Sequence, residues 1–189
     1  MKEALSKRTK KHIRDESRKP SAVLVPIYFK DGQYFILFTR RTELVHYHKG
    51  EISFPGGGYH HDDGTLLKTA LRESYEEIGL SPEDVIILGE LDDEMTRGSR
   101  YIISPFIGSI LPDYNFTLNS FETAEIIQIP IFDLLDKGCR REELVIETDE
   151  GKIIPYVYTF EGQFIIGATA RILKQFLDVF SEVAGYGLS

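Results

Sequence analysis

Apolar residues in this chain fall mostly into short runs of strand character, while longer stretches near its middle and end carry them at helical spacing. Ala22–Phe29 is an apolar run holding the β-branched Val23, Val25 and Ile27, and Pro26 within it argues for an edge or a bulge. Lys30-Asp31-Gly32 signals a turn, and Tyr34–Thr39 reads as the second strand of a hairpin. Beyond a polar stretch ending at Gly50 come the short segment Ile52–Phe54 and a Pro-Gly-Gly-Gly loop. Residues 65–78 carry the clearest helical pattern. Leu67, Leu71 and Ile78, with Ala70 and Ser74 between them, form one stripe at three- and four-residue spacing. Asp62, Asp63 and Thr65 are available to cap its start, and Gly79 to end it.

Strand-like runs follow at Val85–Leu91, Tyr101–Ile110 and Ala124–Ile129. A short helix over Ile131–Asp136, strand candidates at Leu144–Glu147 and Ile153–Phe160, and an amphipathic helix from Ala168 to Val183 complete the pattern. Strands of mixed length with few helices predict an α+β fold, a mixed β-sheet sandwiched between α-helices. No repeat, low-complexity tract or linker interrupts residues 20–185, so residues 20–189 are expected to form a single domain behind a basic segment, residues 1–19.

A chain of 189 residues suits one domain and buries roughly 70% of the surface its unfolded form exposes, enough to fold without a disulfide or metal staple. Charge changes the picture more. The first 19 residues hold eight Lys/Arg against three acids, a balance of +5, so the total of −8 leaves −13 on the rest. A body this acidic repels a polyanion, and nucleic acid is not the expected partner. The basic start is read as a solvated helix or a frayed terminus. Cys139 is the only cysteine, which excludes an internal disulfide and suits a reducing compartment. No apolar run approaches the ~20 residues of a membrane span, and the start lacks the apolar core of a secretory signal, so the expected location is the cytoplasm. The sequence leaves open whether the chain works alone or as a homodimer.

The polar face of the 65–78 helix brings in chemistry. Arg72, Glu73, Glu76 and Glu77 share it, and carboxylates three and four residues apart destabilise a bare helix by roughly 0.2–0.5 kcal/mol per pair. They also sit in the second half of the helix, where the macrodipole disfavours negative charge. A glycine run, Gly56-Gly57-Gly58, precedes them and offers bare backbone to phosphates. Carboxylates on adjacent turns supply hard oxygen ligands, the chemistry of Mg²⁺ or Mn²⁺ completed by substrate phosphates. The histidine pairs His46/His48 and His60/His61 have no further His or Cys at zinc spacing.

Gly57–Leu80, GGYHHDDGTLLKTALRESYEEIGL, resembles a Nudix box, G-x5-E-x7-R-E-U-x-E-E-x-G-U with U aliphatic. The second half matches from Arg72 to Leu80 with Ser74 as its departure. In the first half Gly64 falls where the pattern has glutamate, and Asp63 stands one residue earlier as a structural substitute. The resemblance implies the Nudix fold and metal-dependent hydrolysis of a diphosphate. Glu73, Glu76 and Glu77 would bind Mg²⁺ or Mn²⁺, and Arg72 would orient a box carboxylate. All three carboxylates of the second half are present, against a non-catalytic binding module.

The flanking segments resemble coenzyme A diphosphatases, with L-L-T-x-R-S leading to R-x-x-x-G-x-x-x-F-P-G-G. Leu37–Thr42 and Gly50–Gly57 carry that match, with His46 in place of the second arginine. Thr69-Ala70-Leu71 and Ile166–Leu173 fit the same subfamily, Ile166 standing where Trp is common. The resemblance implies coenzyme A or its thioesters as substrate. Arg40, Arg41, His48, Gly56 and Gly57 would be substrate contacts, and Glu122 an auxiliary base or ligand, with Glu125 its rival. Other nucleoside diphosphate derivatives, such as ADP-ribose, NADH or a nucleoside triphosphate, form the alternative. Against ADP-ribose, Met95-Thr96-Arg97 occupies the region where such enzymes carry a proline.

Overall fold

Both faces of the first long strand are buried, which is why it reads as a continuous apolar run rather than an alternating one. That strand, β1 (Lys19–Lys30), which follows a short helix α1 (Lys2–Ser6), sends Ala22, Leu24 and Tyr28 into one hydrophobic cluster and Val25 and Ile27 into another. The computed structural model describes residues 1–43, 50–136, 139–141, 146–148, 151–153 and 157–186. A turn at Asp31-Gly32, with positive φ at both residues as a two-residue hairpin requires, leads into β2 (Gln33–Arg41). Ile36 and Phe38 of β2 join the cluster of Val25, and Leu37 joins that of Leu24.

After β3 (Ile52–Ser53), the glycines expected to loop instead form a short strand, β4 (Gly56–Gly58), antiparallel to Ser21–Val23. The helix α2 (Leu66–Ile78) follows, then β5 (Ile86–Glu90), β6 (Glu94–Met95), β7 (Tyr101–Ser109) and β8 (Thr123–Pro130). β1 runs parallel to β7 along Lys19–Ile27, and the other pairings in this sheet are antiparallel, so the sheet is mixed. A short helix (Ile131–Leu135), small strands at Arg140–Arg141, Ile146–Thr148, Gly151–Ile153, Val157–Phe160 and Gln163–Ile165, and a long helix (Gly167–Ala184) complete the described chain. The long C-terminal helix covers the Val25 face through Ile172, Leu173, Phe176 and Phe180, while α2 covers the other through Ala70 and Ile78. The expected α+β sandwich is the observed one.

β1 and β2 do not pair along their whole length. They are bonded only from Ile27 to Lys30, and β3 and β4 occupy the fork where they separate: β3 on Thr39–Arg40, β4 on Ser21–Val23. Pro26 is therefore not on an edge. Backbone alternation from Leu24, whose N–H donates to Pro55, aims the Pro26 nitrogen at the mouth of this fork, where no donor is required.

Three further expectations change. Leu67 and Leu71 are only half-buried, and the buried stripe is made of Thr69, Ala70, Ser74, Glu77 and Ile78, of which the small Thr69, Ala70 and Ser74 let the helix approach closely. The run expected at Ile153–Phe160 is divided between two strands, with residues 154–156 outside the described residues; Leu144 lies outside them as well. The basic start is docked rather than solvated. Leu5 is buried in the larger cluster, and the buried Lys10 ammonium pairs with Glu90 at 2.8 Å and Asp93 at 3.0 Å.

A Cβ added at Gly56 would lie 2.3 Å from the carbonyl oxygen of Ala22, at a backbone φ of 154° that side chains rarely adopt. Gly56→Ala is expected to destabilise the fold by about 1–3 kcal/mol in urea unfolding; wild-type stability would rule out so tight a β1–β4 contact.

Candidate active site

α2 begins at Thr65, whose hydroxyl accepts from the Lys68 N–H, and ends at Gly79 with φ of 69°. Its last carbonyls are met by backbone: Thr117 N–H donates to Ile78 and Asn119 N–H to Glu77. This docks the residue 114–122 loop on the helix end that carries the box acids. Ser74, the polar departure from the box pattern, is buried and returns its hydroxyl to the Ala70 carbonyl at 2.7 Å, so it costs no unpaired donor.

Arg72 gathers the polar face. Its Nε and Nη2 donate to the two carboxylate oxygens of Asp63 at 2.7 and 3.0 Å, in a bidentate fork. Nη2 also donates to the Gly58 carbonyl at 3.1 Å, and Nη1 reaches Glu73 at 2.8 Å and Glu76 at 3.0 Å. Asp63 is buried and accepts further bonds from the Thr69 hydroxyl and the His60 N–H. The Arg72 guanidinium holds the Asp63 carboxyl well below the usual carboxylate range, and Asp63 in turn raises the arginine. The acid one residue ahead of the expected box position thus anchors the arginine in this chain.

Glu73, Glu76 and Glu77 occupy different environments. Glu76 is half-exposed. Glu73 packs beneath the glycine strand, where a Cβ on Gly57 would lie 2.5 Å from its carboxylate; burial pushes its carboxyl up, against the pull of Arg72. Glu77 is only 3% exposed and is pushed up to about 8, chiefly by burial and further by Glu73 and Glu122, with Arg41 opposing. Its contacts with the described residues are weak for a buried carboxylate: the Gly56 N–H at 3.3 Å and Arg41 Nη1 at 3.7 Å. Such a charge-deficient, all-oxygen donor set fits a divalent cation. Among the described residues no three acidic, His or Cys side chains converge as a preformed cage.

Arg41 thus meets the box, whereas Arg40 is engaged elsewhere, donating to Glu125 at 2.6 Å and to the Gly50 carbonyl. The rival acids separate in the same way: Glu122 repels both Glu73 and Glu77, while Glu125 is held by Arg40 across β2 and β8. Thr42 ties down the Glu122 segment, its N–H donating to the Glu122 carbonyl and its hydroxyl to that of Phe121. His48 lies outside the described residues, as do His46 and Lys49. Arg171 of the C-terminal motif is a tie, not a site residue here: it bonds Glu94 and the Met95 carbonyl, pinning the last helix to β6. Sequence reading passed over Tyr59 and Tyr101, which flank Gly58 in space but carry no local motif.

A glycine strand lying on a helix that bears an arginine and three carboxylates defines a phosphoanhydride-cleaving architecture, and known proteins agree. Residues 18–136 match the NUDIX domain. The uncharacterised Nudix hydrolase NudL of Yersinia pestis (strain Pestoides F) is 32% identical over 166 residues, 88% of this chain and 82% of that one. The MutT/nudix family protein from Enterococcus faecalis superposes with a TM-score of 0.59 at 13% identity, over 92% of this chain and 64% of that one. The Caenorhabditis elegans Ap4A hydrolase binary complex gives 0.57 at 15% identity, over 88% and 98%. This chain belongs to the Nudix family. It is a hydrolase of pyrophosphate bonds in nucleoside diphosphate derivatives, in a family that generally uses divalent ions such as Mg²⁺ or Mn²⁺. No helix among the described residues is long and apolar enough to cross a membrane.

Asp63→Asn is expected to lower stability by about 2 kcal/mol at neutral pH, since it leaves Arg72 without its main partner. Because the folded carboxyl is depressed, its contribution is fully present above the ordinary carboxylate value of about 4 and fades as pH falls through the folded value. Urea unfolding at stepped pH should therefore show the gap to wild type narrowing only below about pH 4; a gap that closes near neutrality would contradict the pairing.

Proposed function

We propose that the protein hydrolyses the diphosphate of coenzyme A or its thioesters, giving 3′,5′-ADP and (acyl-)4′-phosphopantetheine. The observation that carries this reading is where the coenzyme A-like stretch lies. Its ends, Leu37–Thr42 and Gly50–Gly57, form the walls of the fork, and from them Arg41 and the Gly56 N–H approach Glu77. The segment that resembles coenzyme A diphosphatases thus borders the box acids directly.

In this reading Glu73, Glu76 and Glu77 hold the divalent ions, and Arg72 orients Glu73 and Glu76 toward them. Bound Mg²⁺ or Mn²⁺ would neutralise phosphoryl charge and lower the pKa of bound water. Water adds to one phosphorus, the bridging P–O bond breaks, and the second phosphate leaves. Glu122, on the loop docked at the end of α2, is the candidate to accept the proton of that water. Arg41, His48, Gly56 and Gly57 contact the diphosphate, whereas Arg40 acts through Glu125 and Gly50 to set the end of β2. The cytoplasm, where coenzyme A is abundant and thiols stay reduced, is the fitting compartment for the lone Cys139.

Incubation with Mg²⁺ and, separately, coenzyme A, ADP-ribose and NADH, followed by chromatography, tests the substrate. Release of 3′,5′-ADP and phosphopantetheine is expected, with kcat reduced at least roughly 100-fold in Glu76→Gln and activity removed by EDTA. Turnover confined to ADP-ribose or NADH would keep the chemistry and overturn the coenzyme A assignment.

A further inference from the structure

A cleft of about 610 Å³ opens beside the box at Glu73 and falls within the range of small-molecule sites. Glu73 and Gly58 form its floor, and Lys19, Tyr59, His60 and Tyr101 its walls. Of these four, only His60, through its backbone N–H to Asp63, has a part in the reading of the box given above. We propose that this cleft is the subsite for the 3′-phosphorylated adenosine half of the substrate, with Tyr59 and Tyr101 meeting the base and Lys19 the 3′-phosphate. The inference rests on the coenzyme A reading for its substrate, but its residues are independent of those that carry that reading.

Three observations point the same way. First, the cleft includes Glu73, so a ligand in it is continuous with a diphosphate held at the box acids. Second, its walls combine two half-buried aromatic rings with a lysine that has no ion-pair partner among the described residues, in a chain whose net charge is −8. Aromatic faces accept a nucleobase by stacking, and an unpaired ammonium suits a phosphate next to them. The pantetheine arm, flexible and uncharged, has no use for either.

Third, the walls are held in place before any ligand arrives. Lys19 lies opposite Tyr101 in the β1–β7 pairing, and its N–H donates to the Arg100 carbonyl. The Tyr59 N–H donates to the Pro20 carbonyl, and a Cβ on Gly58 would lie 3.8 Å from the Tyr101 ring, so ring and glycine strand are neighbours. The His60 N–H donates to Asp63, the same carboxylate that clamps Arg72. Cleft and carboxylate helix are therefore tied through one acid. Another cavity, of about 320 Å³ between Tyr28, Tyr114 and Gln128, is lined by no residue of the box.

Equilibrium binding of 3′,5′-ADP and of 5′-AMP, measured by calorimetry in Mg²⁺ buffer, tests the assignment without turnover. Wild type should bind 3′,5′-ADP roughly tenfold more tightly than 5′-AMP. Lys19→Ala should abolish that preference and Lys19→Arg retain it. Tyr101→Ala should weaken both ligands about equally, by roughly tenfold, with thermal melting confirming that each variant is folded. A preference that survives Lys19→Ala, or unaltered affinities in Tyr101→Ala, would overturn the subsite even if coenzyme A is hydrolysed. Lys19-dependent preference in a protein that leaves coenzyme A intact would instead retain the subsite and discard the substrate.

Discussion

The Arg72 guanidinium is the point on which the rest of this site depends. Carboxylates crowd one end of a helix whose dipole already disfavours them, and no neutral side chain could hold them in register. A planar fork with five donors can, because it bonds Asp63 along one edge while reaching Glu73, Glu76 and the Gly58 carbonyl with what remains. A lysine at this position would present one charge and could not bridge helix, loop and glycine strand together. The arrangement also orients the strand, since Gly58 is fastened to the same group that orders the acids.

Glu77 shows the opposite balance. Its carboxylate is enclosed by the sheet, and its neighbours among the described residues compensate it only in part. Burial with such loose pairing opposes folding, a cost that the proposed cation would offset. The fold tolerates it because the remaining contacts of α2 are tight: Ala70, Ser74 and Ile78 are fully buried against β1 and β2. Stability is drawn from small and apolar residues on one side of the helix and spent on a charged site at its edge.

Much of this was legible in the sequence, and the exceptions have physical reasons. Helical periodicity marked α2 almost to the residue, because Thr65 and Gly79 are strong boundary signals, and Arg72 with the three glutamates followed from spacing alone. Periodicity chose Leu67 and Leu71 for the core, however, when the closeness of the sheet selects Thr69 and Ser74. The glycines looked like a loop because glycine has low strand propensity; they nevertheless pair with β1, and glycine is needed at 56 and 57 because a Cβ there would meet β1 and Glu73. Arg40 and Arg41 are adjacent and chemically alike in sequence, yet cross-strand pairing gives one to Glu125 and the other to Glu77. Lys10 and Asp93, or Lys19 and Tyr101, are brought together only by long-range pairing, for which a single sequence carries no local signal.

The loop that closes the end of α2 is attached by its main chain, through the N–H groups of Thr117 and Asn119. An anchor made of peptide groups is indifferent to the side chains it carries. Between Tyr114, whose hydroxyl also donates to the Gly79 carbonyl, and the candidate base Glu122, side chains can therefore drift in sequence while the backbone docking is kept. A scaffold attached in this way can diversify in what it admits without first having to reinvent how it cuts.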